Sequence, residues 1–336
     1  AAAPPISVLL PVRDGAAHLD EAIRSLEAQR FGDFEVIAVD DGSTDDTPRI
    51  LAGWRARDAR VRVLRQDAAG IVAALERGRA TAAGRYLARM DADDVCEPER
   101  LGAQYALMQS DPTLALCGCV VAYFPDGEVR DGARRYEAWL NAAVRPDDIA
   151  REIFVECPLA PPTYFMRADA VADVGGYRDL EWPEDYDLVL RLWAAGARFA
   201  KVPERLLHWR DGPTRLSRTH AHYDPSAFLR CKVHHLRQTV LAGREGAVIW
   251  GAGPVGKSAA RVTPGAGTRA LAFVEVDPRK IGQEVHGAPV VDAGRGLQIR
   301  RACHLAAVGQ PGARERIRSL LSGAGLEELR DFVAIA

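Results

Sequence analysis

Along the first hundred residues the chain switches between two rhythms of apolar and polar positions. "ISVLLPV" (Ile6 to Val12) and "FEVIAVD" (Phe34 to Asp40) are short, β-branched runs bounded by turn residues, and between them Leu19, Ile23 and Leu26 recur at spacings of four and three. The first rhythm predicts buried strands and the second a helix, together a βαβ unit. Another helix is expected after "DGSTDD", followed by the strand "VRVLR" (Val61 to Arg65), a helix around Ile71 to Ala83 closed by Gly84, and the strand "RYLARM". Four strands with intervening helices predict an α/β fold with a mainly parallel sheet covered on both faces. In such a sheet, ligands sit beyond the carboxyl ends of the strands.

Farther along, Tyr186, Val189, Leu190 and Trp193 fall at i, i+3, i+4 and i+7 between Pro183 and Gly196, which predicts a helix. Leu229, Val233, Leu236 and Val240 share one face of another, ended by Gly243. Beyond it "GAVIWGAGPVGKSAAR" opens a second α/β unit. The expected organisation is a domain over 1–222, a connecting helix over 223–244 and a smaller domain over 245–336. No fixed-period repeat or low-complexity tract interrupts it.

Composition leaves this picture standing. With 336 residues, 48% hydrophobic and 27% charged, the chain has room for one large and one small core. A net charge of −2 with arginines spread along the chain excludes the basic footprint of a nucleic-acid binder. No apolar stretch approaches the roughly 20 residues that span a bilayer, and "AAAPP" lacks a charged segment followed by an apolar one. A cytoplasmic protein is expected, with association at the inner face of a membrane left open. The six cysteines, Cys96, Cys117, Cys119, Cys157, Cys231 and Cys303, show neither C-x-x-C spacing nor the density of a disulfide scaffold. Buried thiols are the favoured reading.

The acidic residues change the picture. Asp91, Asp93 and Asp94 in "RMDADD" stand directly behind an apolar strand, and like charges gathered there raise one another's energy unless a cation or donor compensates. "VDDGSTDD" follows the second strand, so both segments project from the same sheet edge. Either alone is ordinary turn composition; two on one edge are harder to dismiss. Glu184 and Asp185 begin the predicted helix after Pro183, where the macrodipole favours negative charge.

"SVLLPVRDGAAHLDEAIRSLEAQ", "FEVIAVDDGSTDDT", "GRYLARMDADD" and "WPEDYDLVLRL" together resemble the blocks of family 2 glycosyltransferases of the GT-A fold, over roughly Ile6 to Ser217. The resemblance implies inverting, metal-dependent hexosyl transfer from a nucleotide-diphosphate sugar to an acceptor hydroxyl on a glycan or lipid-linked glycan, in bacterial polysaccharide or glycoconjugate synthesis. Neutralising a diphosphate leaving group requires positive charge, and Asp91 and Asp93, two apart on an extended segment, can offer hard oxygen ligands to Mg²⁺ or Mn²⁺. By resemblance Asp93 coordinates the metal, Asp91 lies near ribose or metal, and Asp94 helps hold the loop. Pro11, Val12 and Arg13 would border base and ribose, and Asp40 would accept from the nucleobase with Asp41 nearby. Asp185 would be the general base, supported by Glu184. "LLHWRDGPTRLSRTH" resembles the family's loop over the diphosphate, making Arg210, Arg215 and Ser217 phosphate contacts; His208 stands as either a third metal ligand or a hydrogen-bonded surface histidine. Thr163, in "CPLAPPTYFMR", is the acceptor-side candidate. Arg89, where an apolar residue is expected, either pairs with the acidic loop or points to solvent.

In the second domain Gly251, Gly253 and Gly256 form G-x-G-x-x-G after a strand, and Glu275 and Asp277 follow the next strand, "LAFVEVD". That is the context a dinucleotide fingerprint requires. "DPRKIGQEVHGAPVV" and "AVGQPGARERIRSLLSGAGL" resemble the small Rossmann-like domain at the N-terminus of bacterial sugar acyltransferases. At about 90 residues this is half a full dinucleotide fold, which favours a nucleotide-sugar or structural module. The competing reading is an NAD(P)-dependent oxidoreductase or sensor centred there; no Tyr-x-x-x-Lys pair follows Gly256 to support it.

Overall fold

The structure is a computed structural model and describes residues 3–212, 215, 220–262 and 269–336. It divides into two compact units: Ala1–Ile149, Pro158–Leu180 and Glu184–Thr219 form the first, and Ala150–Cys157, Glu181–Pro183 and His220–Ala336 the second. The helix read from the sequence as a connector, and two short stretches from earlier in the chain, thus belong with the second unit.

The first unit runs β1 (Ile6–Val12), α1 (Leu19–Glu27), β2 (Phe34–Asp41), α2 (Thr47–Arg57), β3 (Val61–Gln66), α3 (Ile71–Thr81), β4 (Tyr86–Arg89), β5 (Val95–Cys96), α4 (Arg100–Ser110), β6 (Leu114–Phe124), α5 (Asp131–Ala142) and α6 (Pro146–Glu152), whose last turn passes into the second unit. It resumes with β7 (Phe165–Arg167), α7 (Ala168–Asp173), α8 (Glu184–Ala194) and β8 (Arg198–Arg210). The eight strands form one sheet in the order β3-β2-β1-β4-β7-β6-β8-β5. β1 pairs in parallel with β2 and β4, and β2 with β3; β7 and β5 are antiparallel to their neighbours. Every residue of β2 is buried, as expected of a strand covered on both faces.

Ser7 of β1 and Glu35 of β2, polar residues inside these strands, are paired with each other. Ser7 Oγ donates to Glu35 Oε1 at 2.7 Å, and that same oxygen accepts from the Ala83 amide at 2.8 Å. The Gly84 amide donates to Ser7 Oγ at 2.8 Å. A Cβ at Gly84 would lie 2.6 Å from the Ser7 nitrogen, so only glycine lets β4 enter beside β1. This fixes where β4 starts, and therefore where Asp91 and Asp93 emerge.

The second unit holds α9 (Pro225–Gln238), β9 (Ala247–Trp250), α10 (Pro254–Val262), β10 (Ala270–Val274), β11 (Glu284–Val285), β12 (Ala288–Val291), α11 (Ala293–Leu297), β13 (Cys303–Ala306), α12 (Ala313–Gly323) and β14 (Phe332–Ala334). Its sheet order is β11-β12-β10-β9-β13-β14, parallel except for the β11–β12 pair. α9 is capped by Asp224, whose carboxylate accepts from the Ala227 amide at 2.7 Å, with Pro225 in the first turn. Arg318 of α12 is tied to Glu152, Glu315 and Glu328 at 2.7–2.8 Å. All six cysteines are buried, and no helix among the described residues is long and apolar enough to cross a membrane.

Candidate active site

The carboxyl ends of β1, β2 and β4 deliver Arg13, Asp40 and the Asp91–Asp94 segment to one edge of the parallel half of the sheet. Asp40 is 1% exposed; its Oδ1 accepts from the Ser43 amide at 2.9 Å, while Oδ2 has no hydrogen bond among the described residues and faces Arg65 Nε at 3.5 Å. A buried carboxylate oxygen left open in this way is a ready acceptor for a ligand N–H. Its neighbour Asp41 is engaged differently, taking Gln66 Nε2, the Ala69 amide and the Gly70 amide at 2.8–2.9 Å. Asp41 therefore shapes the turn leading into α3. Val12 is buried and Pro11 half-buried, whereas Arg13 is largely exposed, with its Nε 4.0 Å from Asp14.

The Asp91–Asp94 segment is carried by arginines. Arg89 is 3% exposed and lies between two acidic segments, its Nε 2.9 Å from Asp91 and its Nη1 3.3 Å from Glu184. Burial opposes its charge, but Asp91 and Glu184 more than compensate and hold it protonated. Of the two alternatives for Arg89, pairing is the one observed. Arg210, at the end of β8, clamps the segment from the other side: its amide donates to Asp94 Oδ1 at 2.8 Å, its Nε to the Asp93 carbonyl at 2.7 Å and its Nη2 to Glu21 at 2.8 Å, with the guanidinium 4.3 Å over Phe124. Arg215 packs 4.4 Å over Trp209 and within 3.7 Å of Asp211. Ser217 lies outside the described residues.

Even so, negative charge stays in excess. Burial and the neighbouring Asp91 push Asp93 above the ordinary carboxylate range. Burial and Asp93 push Asp94 further up, and its Oδ2 has no hydrogen-bond partner among the described residues. At the start of α8, burial and the adjacent Glu184 raise Asp185 to about 7, although its Oδ1 accepts from the Tyr186 amide at 2.7 Å. Asp91 and Arg89 both act on Asp185 electrostatically, so the two acidic segments share one field.

Three expectations need correction. Thr163 does not reach a surface: it is fully buried and its hydroxyl donates to the Ala160 carbonyl at 2.7 Å. The "APPT" segment turns it inward, and a Cβ at the facing Gly118 would lie 2.9 Å from that hydroxyl. His208 Nε2 lies 2.6 Å from Glu97 Oε1, and among the described residues His208, Asp91 and Asp93 do not bring one ligand atom each to within 4.8 Å of one another. It is the hydrogen-bonded histidine of the two alternatives. In the second unit, Asp277 is paired with Arg279 at 2.9 Å; Glu275 is the acid that reaches the glycine loop, accepting from the Ala252 amide at 2.9 Å and from Lys280 at 3.1 Å. There Gly251 adopts φ +110°, and a Cβ at Gly256 would lie 2.0 Å from the Gly251 carbonyl oxygen.

Parallel strands that lead through β7 into a mixed half, with the acidic segments on the parallel side, are the architecture of the GT-A glycosyltransferases. The chain belongs to glycosyl transferase family 2, whose sequence pattern matches residues 7–175. It is 28% identical over 209 residues to the amylovoran biosynthesis glycosyltransferase AmsE of Erwinia amylovora, covering 61% of this chain and 76% of AmsE. In fold it is similar to S. aureus TarS 1–349 in complex with UDP-GlcNAc (TM-score 0.56, 18% identity, 69% of this chain and 66% of that one). It is likewise similar to the mannosyltransferase PcManGT of Pyrobaculum calidifontis in complex with GDP-Man and Mn²⁺ (TM-score 0.52, 17% identity, 70% and 64%).

Proposed function

We propose that the protein transfers a sugar from a nucleotide-diphosphate sugar to an acceptor hydroxyl with inversion, with Asp185 as general base, in assembly of a bacterial polysaccharide or glycoconjugate. The observation that carries this reading is Asp185 itself. A carboxyl raised to about 7 at a helix start, in the same field as the Asp91–Asp94 segment, is poised to exchange a proton near neutrality. In the proposed step Asp185 takes the acceptor proton, the acceptor oxygen forms a bond to the anomeric carbon from the face opposite the diphosphate, and the bond to the diphosphate oxygen breaks with its electron pair leaving on phosphate. Glu184, held by Arg89 at 3.3 Å, lies beside it and raises the Asp185 proton affinity. Asp40 Oδ2 receives the nucleobase, and Pro11, Val12 and Arg13 border the ribose.

Asp93, with Asp91, fits a divalent cation such as Mg²⁺ or Mn²⁺. Burial and the neighbouring Asp91 hold Asp93 above the ordinary carboxylate range, and a hard cation held by one or two carboxylates plus substrate phosphates needs no further protein ligand. When bound, it would supply the positive charge that stabilises the departing diphosphate. AmsE is named for polysaccharide synthesis, and TarS and PcManGT are described with UDP-GlcNAc and with GDP-Man and Mn²⁺; these names support the donor class and the biosynthetic setting. The second unit is read as an accessory Rossmann-like module.

Asp185→Asn tests the base. Transfer should fall about 10²–10⁴-fold while calorimetric affinity for the bound UDP-, GDP- or dTDP-sugar is kept. The acid limb of the wild-type rate profile should lie near pH 7, because the base must be ionised. An Asp185→Asn protein that retains transfer removes Asp185 from this role.

A further inference from the structure

The approach to α8 contains a second poised group. Tyr177 is 4% exposed and its hydroxyl has no hydrogen-bond partner among the described residues. Leaving a buried hydroxyl unpaired is costly because its bond to water is lost without replacement, so such a group calls for something that completes it.

The backbone holding Tyr177 is tied from both sides. Gly175 and Gly176 adopt φ of +82° and +66°. Glu76 of α3 accepts the Tyr177 amide at 2.6 Å, and Arg79 pairs with the same carboxylate at 2.7 Å. From α8, Arg191 donates to the carbonyls of Val174 and Gly176, each at 2.7 Å, and is itself anchored by Asp187 at 2.7 Å. The phenol lies within electrostatic reach of Arg89, Glu184, Asp185 and Asp91. Burial, together with those carboxylates, pushes its pKa up and keeps it a donor.

We propose that Tyr177 is a substrate-positioning residue whose hydroxyl hydrogen-bonds a sugar hydroxyl held between Asp185 and the Asp91–Asp93 segment. The inference rests on reading that region as the transfer site. It assigns the open hydroxyl to carbohydrate because the groups around it are already committed: Arg89 to Asp91 and Glu184, and Asp185 Oδ1 to the Tyr186 amide.

Tyr177→Phe removes the hydroxyl and keeps the ring. The probes are UDP and GDP, UDP-GlcNAc and GDP-mannose with Mn²⁺, followed by calorimetry and by nucleoside diphosphate release to water or to a panel of methyl hexosides. Affinity for UDP or GDP should stay within about twofold, while a sugar-dependent readout falls about tenfold. Lost affinity for the nucleotide sugar alone assigns the contact to the donor sugar; kept donor affinity with reduced kcat/KM assigns it to the acceptor. Sugar-dependent readouts that do not change overturn the inference, as does an equal loss for free nucleoside diphosphate. Wild-type protein that binds none of the probes overturns the transfer-site reading itself. An active Asp185→Asn protein would unseat the base yet leave a Tyr177→Phe defect in force.

Discussion

The two sheets share a strand plan and part company in their chemistry. In the first, the order β3-β2-β1-β4 places the first strand between the second and fourth; in the second, β12-β10-β9-β13 does the same. Each therefore has a crevice of the kind in which ligands bind, where the connections diverge. At the carboxyl ends of the first sheet the acids are left incomplete, with Asp40 Oδ2 and Asp94 Oδ2 open and Asp93 held above its usual range. At the end of β10, Glu275 is complete: the loop amide of Ala252 and Lys280 satisfy it and hold it below the ordinary range despite burial. Topology offers a crevice in both cases; incompletely paired acids distinguish the first from the second.

The sharpest way to break this contrast is to remove one acid from each sheet. Asp93→Ala should abolish any Mn²⁺-dependent gain in donor affinity and lower transfer by about 10²-fold or more, since cation stabilisation of a leaving group is worth several kcal/mol. Chelation of the wild-type protein should reproduce the loss. Glu275→Gln, assayed alongside, should leave transfer within about twofold. Metal-dependent binding that survives Asp93→Ala would show that the open acids do not define the cation site.

A smaller effect probes how the first unit aims its groups. At Gly176 a Cβ would lie 2.4 Å from Glu76 Oε1, at a backbone φ of +66°. Gly176→Ala should cost about 1–3 kcal/mol, read as a lower urea midpoint, and should reduce transfer by displacing the Tyr177 turn. An unchanged midpoint would mean that the Glu76 clamp yields without loss.

Much of this was legible in the sequence because period and punctuation encode it locally. β1, β2, α1 and the helix after Pro183 follow from spacing, and the acidic strand ends follow from the parallel topology. What the sequence did not show depends on long-range pairing. Arg89 looks misplaced in an apolar strand until Glu184, 95 residues away, is brought to 3.3 Å. Tyr177 reads as one more core aromatic, because an unpaired hydroxyl has no sequence signature. Thr163 and His208 matched the resemblance by position but were turned to other partners, Ala160 and Glu97. Arg100 and Gln104, both buried, knit α4 to the carbonyls of Arg89, Pro162 and Thr163; only α4's packing against these strands makes their polarity intelligible.

The least expected effect separates a perturbed group that serves chemistry from one that serves only the fold. His304 on β13 is buried, its Nδ1 accepts from Trp250 Nε1 at 3.0 Å, and burial lowers its pKa to about 4. The folded protein therefore keeps His304 neutral while the unfolded chain takes up a proton below about 6.5. The stability contributed is present above that pH and is lost as pH falls towards 4, by roughly 2 kcal/mol between pH 6.5 and 5. Asp185 acts with the opposite sign: its raised pKa means that stability is lost as pH rises from the usual carboxylate value to about 7. His304→Gln retains an acceptor for Trp250 without a titration, so its urea stability should decline less than wild type between pH 7 and 5. The acid limb of transfer should stay near pH 7 in the same variant, as expected if Asp185 is the base. A limb that moved with His304→Gln would tie the second sheet to catalysis and erase the distinction between the two crevices.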